Sequence, residues 1–109
     1  MKVVKKKDKI VHGLLEDELK RCEDMAASLS DAIKALPKGS LHQRRVAYKS
    51  KVQIYKYLKY RENGKSVYQH IRKAEEEIVE KKVSERQRKE KSLKSFRDRI
   101  QYLHKLMRA

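Results

Sequence analysis

Tyr55 and Tyr57 alternate with Lys56 and Leu58 in one short run that Lys59 continues, and Tyr68 and His70 flank Gln69 in the next, just after Asn63-Gly64. Aromatic rings at period two, interleaved with cations, suit one kind of chemistry: the rings stack on bases while lysine and arginine neutralise phosphates. The candidate nucleic-acid contacts are Arg44, Arg45, Lys49, Lys51, Tyr55, Tyr57, Lys59, Arg61, Lys65, Tyr68, His70 and Arg72. Tyrosine is also a good strand residue and lysine guards sheet edges against aggregation, so residue type alone leaves that structural use open. Charge favours binding over it. Residues 38–73 carry eleven Lys or Arg against Glu62 alone, a net +10 out of the chain's +15. A surplus of that size repels itself unless a polyanion or an acidic partner neutralises it.

A second basic stretch, Ser84 to Ser92, reads SERQRKEKS with no apolar residue. Arg86, Arg88, Lys89 and Lys91 would form a basic helical face, the kind that crosses a phosphate backbone; a solvated charge run is the alternative. Other chemistries find little support. His12, His42, His70 and His104 are scattered without paired ligand spacing, so no metal is expected. There are only three glycines and no phosphate-cradling Gly-rich loop, and no nucleophile motif is present. We expect neither a cofactor nor an enzyme. The single cysteine, Cys22, lies among helical apolar positions and reads as a small core residue in a reducing compartment. No run approaches the ~18 apolar residues of a membrane span and the start lacks the apolar stretch of a signal peptide, so the expected location is cytoplasmic with no membrane partner.

These side chains must be positioned by a hairpin. Asn-Gly between two alternating runs is the strongest short-range hairpin signal, because both turn residues need positive φ and these two accept it at least cost. A two-residue loop at Asn63-Gly64 pairs Arg61 with Ser66, Tyr60 with Val67, Lys59 with Tyr68, Tyr57 with His70 and Tyr55 with Arg72. Parity then sorts the sheet. Ile54, Leu58, Tyr60, Val67 and Ile71 take a face that can be buried, with Lys56 and Gln69 as exceptions. Tyr55, Tyr57, Lys59, Arg61, Tyr68, His70 and Arg72 take the other. A turn at Lys49-Ser50 would add a first strand from about Leu41 to Tyr48, whose facing the HQRR sequence leaves open.

Before the sheet, Leu15, Leu19, Cys22, Ala26, Leu29, Ile33 and Leu36 are spaced 4, 3, 4, 3, 4 and 3, a heptad seam widened by Leu14, Met25 and Ala32. Pro37 ends that helix. After the sheet, Glu75, Glu76, Glu77 and Glu80 mark a helix start through the dipole. Ala74, Ile78, Val79 and Val83 form an early stripe, and Leu93, Phe96, Ile100, Leu103 and Met107 resume the 3-4 spacing. Residues 10–37 hold six acids and three bases; residues 81–108 hold eleven bases and three acids. Such helices suit one another within a chain, or a homodimer through the same seams.

Leu36-Pro37-Lys38-Gly39-Ser40-Leu41, the run Ile54 to Arg61, Gly64-Lys65 and Ile71-Arg72-Lys73 before a charged helix resemble a small prokaryotic family of uncharacterised domains, with LPxGSL and YLxYR-GK hairpin motifs. The resemblance covers about residue 29 to the C-terminus and implies the order helix, meander, helix, with no activity attached. The chain departs from that pattern at Val52 to Lys56, where more consecutive aromatics are expected. In architecture the hairpin is also similar to the three-stranded arm-binding domains of phage-type integrases.

The expected fold is therefore α+β: a three-stranded antiparallel β-meander inserted between two long helices that pair as an antiparallel coiled-coil hairpin. Residues 1–9 would be a basic flexible arm and residues 10–109 a single domain, with helix 12–36, strands within 40–72 and helix 74–108. The expected function is a small basic DNA- or RNA-binding protein of phage, mobile-element or prokaryotic origin. The alternative is an interaction module or inhibitor, anti-CRISPR-like, docking on a larger nucleoprotein effector.

Overall fold

A computed structural model describes residues 8–108. Of the basic arm expected at residues 1–9, only Asp8 and Lys9 are described, and both serve helix α1 (Lys9–Lys34). Asp8 is its N-cap, accepting a hydrogen bond from the Val11 amide at 3.0 Å, which satisfies one of the orphan donors of the first turn. The helix thus starts three residues before the expected boundary at 12. It also stops earlier: Ala35 is the C-cap, and its amide bonds back to Ala32 at 3.3 Å. Strands β1 (Ser40–Tyr48), β2 (Lys51–Glu62) and β3 (Lys65–His70) follow, then a single 3₁₀ turn (Lys73–Glu75) and helix α2 (Glu76–Met107). The fold is α+β, a strand meander of order β1-β2-β3 between two helices. Among the described residues no helix is long and apolar enough to cross a membrane.

Among the described residues the chain forms two compact units, residues 8–35 with 88–108, and residues 36–87. In the first, α1 and the later part of α2 run antiparallel, since Glu18 meets Arg99 while Arg21, one turn on, lies over Phe96. Cys22, Ile33, Leu93, Leu103 and Leu106 are its buried residues. Six members of the expected α1 seam, Leu15 to Ile33, lie in the helix and are buried or half-buried, because side chains spaced 3 and 4 apart share one face; the seventh, Leu36, is half-buried but lies past the Ala35 cap. The widening of that seam is corrected: Leu14 and Met25 are exposed, at 63% and 42%.

In the second unit, Leu58, Ile71 and Val83 form the core, with Leu41, Tyr60 and Val79 packed against it. The first turns of α2 therefore cover the even-numbered face of β2, as the amphipathic spacing of Val79 and Val83 requires. Coverage is local. Ile54 lies on the same face but is 50% exposed, and Ile78 is 56% exposed, so neither belongs to the core expected from parity and periodicity. Lys56, one of the two polar exceptions on that face, is held by Glu80 and stands 3.9 Å from Glu76. The glutamates at the start of α2 thus do more than complement its dipole. The hydrogen bond that Lys56 donates to Glu80 is the main cause of the lysine's raised pKa, with burial working against it and the charges of Glu80 and Glu76 adding to it.

Candidate nucleic-acid interface

Two tight turns fix the face that carries the candidate residues. Asn63 and Gly64 have φ of 51° and 78°, the double left-handed geometry whose twist matches flanking strands. Lys49 and Ser50 adopt the same geometry, φ 46° and 67°, without either residue that accepts it cheaply. The second hairpin has the expected register, with Tyr57 opposite His70, Lys59 opposite Tyr68, Tyr60 opposite Val67 and Arg61 opposite Ser66. The expected pairing of Tyr55 with Arg72 is absent. β3 ends at His70, the Ile71 amide donates to the Lys56 carbonyl at 3.0 Å, and Arg72 becomes the extended N-cap residue of the 3₁₀ turn.

The first hairpin supplies what the sequence left open. Its register runs from Ser40 opposite Lys59 to Tyr48 opposite Lys51, with His42 opposite Tyr57 and Arg44 opposite Tyr55. The odd-numbered face of β2 therefore gathers His42, Arg44, Val46 and Tyr48 from β1, Lys51, Gln53, Tyr55, Tyr57, Lys59 and Arg61 from its own strand, and Tyr68 and His70 from β3. Lys49 sits at its turn, with the ammonium 5.4 Å from the Tyr48 ring centre. Two of the twelve candidates lie on the opposite face, Arg45 beside Ile54 and Lys65 beside Glu62, because pairing partners share a side. With Arg72 outside the ladder, nine of the twelve remain together.

Rings cross this face from strand to strand. His42 stacks on Tyr57 with centroids 5.6 Å apart and planes at 21°; Tyr57 meets Tyr68 at 5.9 Å and 51°; Tyr55 meets His70 at 5.7 Å and 58°. The Lys59 ammonium lies 5.7 Å from the Tyr68 ring centre, a cation–π distance. The Ser40 hydroxyl is within hydrogen-bonding distance of His42 Nε2, at 2.8 Å, and the Tyr55 hydroxyl donates to Gln53. Arg44, Val46, Tyr55, Tyr57, Tyr68 and His70 line a depression of about 480 Å³. No aspartate or glutamate stands among the residues of this face.

His42 is among the members that residue-by-residue reading omitted, together with Val46, Tyr48 and Gln53. The Lys49-Ser50 turn was the signal for it: a two-residue loop there places Tyr48 opposite Lys51 and, counting outward, His42 opposite Tyr57. The second candidate, the basic stretch of α2, is reshaped. Arg86 is half-buried and donates through Nη1 to the Leu36 carbonyl at 2.7 Å, satisfying one of the carbonyls left over where α1 ends. Glu85 and Lys89 are half-buried and engaged as well, so SERQRKEKS is not a wholly solvated bridge. Arg88 and Lys91 are exposed.

Comparison with known proteins adds no relative: no family model, no curated protein and no solved structure matches this chain.

Proposed function

We propose that this protein binds nucleic acid, gripping the phosphate backbone with the odd-numbered face of its sheet. The observation that carries this reading is the sorting of charge by strand parity. Arg44, Lys51, Lys59 and Arg61 surround the tyrosines on a face with no carboxylate. The acids of the same unit that meet sheet cations, Glu76 and Glu80, are turned to Lys56 on the other side. A solvated face built only for solubility intersperses both signs; a single-sign face focuses a field that attracts a polyanion. The aromatic rings between the cations supply contact area that phosphate binding alone does not need.

Fluorescence anisotropy with labelled oligonucleotides tests this directly. Four phosphate contacts give a salt slope of about −3 for a single strand, so raising salt from ~50 to ~200 mM weakens binding about 50-fold. Reversing two of the charges, Arg44→Glu with Lys59→Glu, is expected to abolish binding while leaving the circular dichroism spectrum unchanged. Failure of both single-stranded and duplex oligonucleotides to bind at micromolar concentration in low salt refutes the reading. So does an affinity indifferent to salt. Recovery of a protein partner that survives nuclease treatment, with no nucleic acid bound, would favour docking on a nucleoprotein instead.

A further inference from the structure

The ring geometry of the same face points to a narrower ligand class: we infer that it takes single-stranded nucleic acid with bases stacked on the rings of Tyr57 and Tyr68. This deepens the proposed function and rests on it. In a duplex the base faces are covered by their neighbours, and only edges are offered, to donors and acceptors such as Arg, Asn or Gln that reach into a groove. A ring face is useful only to a base that has left its stack. Here the rings hold the middle of the sheet and the cations flank them. His42, Tyr57 and Tyr68 come one from each strand, at centroid separations of 5.6 and 5.9 Å, and Tyr68 is 61% exposed.

The shape and charge fit the same occupant. The depression lined by Arg44, Val46, Tyr55, Tyr57, Tyr68 and His70, about 480 Å³, lies in the size range of small-ligand sites and has aromatic and aliphatic walls on which a base can lie. Arg44 borders it, and Lys59 stands 5.7 Å from the Tyr68 ring centre, where a phosphate adjoining a base stacked on Tyr68 would meet it. The strand thus crosses the sheet with bases inward and phosphates against Arg44, Lys51, Lys59 and Arg61. Nothing in this arrangement distinguishes ribose from deoxyribose, because stacking uses the base and the cations use the phosphate.

The test uses the full chain and four probes of one length: a DNA strand, an RNA strand of the same sequence, the matching DNA duplex, and a strand of abasic sugar-phosphates. Base-bearing single strands, in either sugar series, are expected to bind more tightly than the abasic strand and to quench tyrosine emission. Tyr68→Ala is expected to weaken them about 5- to 150-fold, the range for losing one stacked ring, with the salt slope unchanged and Tyr68→Phe retaining the affinity. Abasic and base-bearing strands binding alike, or the duplex outcompeting both single strands, overturns the stacking inference while the phosphate reading stands. Failure of all four probes at low salt overturns both.

Discussion

The Lys49-Ser50 turn stores strain that can be released, and transplanting the two turns tests this in both directions. Both residues have positive φ, 46° and 67°, a region that costs an L-residue roughly 1–2 kcal/mol. Asn63 and Gly64 hold the same geometry at φ 51° and 78° with side chains suited to it. Replacing Lys49-Ser50 by Asn-Gly removes up to about 2 kcal/mol of strain, while the new glycine returns ~0.5–1 kcal/mol through the freedom it gains in the unfolded chain. The net expectation is about 1 kcal/mol of added stability, a rise of about 4–8 °C in Tm for a domain near this size. The reciprocal change, Asn63→Lys with Gly64→Ser, forfeits both advantages and is expected to lower stability by a similar amount.

Urea denaturation followed by circular dichroism, with amide exchange at the residues flanking each turn, measures both variants. The same pair reports on function. Under the proposed nucleic-acid binding, losing Lys49 removes at most one phosphate contact beyond those of Arg44, Lys51, Lys59 and Arg61, lowering the magnitude of the single-strand salt slope by no more than ~0.7, so stability and affinity should move in opposite directions. If the first variant is no more stable than the parent, or if both variants shift the same way, the register argument for the β1–β2 hairpin is wrong.

Three further outcomes follow from burial and charge. Leu58→Ala empties the centre of the sheet unit, where Leu58 is 4% exposed, and should cost about 2–5 kcal/mol; Ile54→Ala, on the same face but half exposed, should stay within ~0.5 kcal/mol, and urea titration separates the two. Gly39 has φ +109° and a Cβ there would stand 2.6 Å from the Lys59 carbonyl oxygen, so Gly39→Ala should destabilise by more than ~1 kcal/mol and weaken amide protection at the β1–β2 pair. Glu18 is held at a pKa of about 2, against an ordinary 4.5, chiefly by its hydrogen bonds from Arg21, with burial opposing. A depressed carboxyl contributes stability that is complete above pH 4.5 and is lost as pH falls through about 2. Thermal melts across that window should show a decline that Glu18→Gln flattens; an identical decline in the variant would show that other groups cause it.

The second hairpin was readable because it is local: turn chemistry at Asn63-Gly64 sets the register, and register sets the faces. The first hairpin was only half readable. Its turn uses residues that disfavour the geometry, and HQRR offers no alternation from which to assign a side. The misplacements share a cause, which is that a covering element ends where local pattern cannot show it. Ile54 and Ile78 follow the right periods, but the apolar cluster between α2 and the sheet is built on Val79, Val83 and their partners and takes in neither isoleucine. Lys56 looked out of place on a core face because Glu76 and Glu80 lie more than one element downstream. Arg86 looked available because its acceptor, the Leu36 carbonyl, is 50 residues away in sequence. Cys22 takes the core position that its spacing implied. It is fully buried, its thiol donates to Glu18 at 3.5 Å, and burial pushes its pKa up.

The turns and the candidate site are parts of one device, because parity is what separates the charges. A one-residue slip in β1–β2 would exchange the faces of every side chain in one strand. It would turn Arg44 away from Tyr55 and break the His42–Tyr57 stack, and a slip of β2 itself would carry Lys56 away from Glu80. Three constraints oppose this at once: a two-residue turn at each end of β2, the Lys56–Glu80 ion pair on the covered face, and the close passage of Gly39 over Lys59. None of the three lies in the depression between the tyrosines, yet each holds the cations of Arg44, Lys51, Lys59 and Arg61 on the side that lacks acids. Strain at Lys49-Ser50 is tolerable on these terms, since its Lys49 cation stands at the edge of the basic face and the remaining constraints keep the register that the turn alone would hold less firmly.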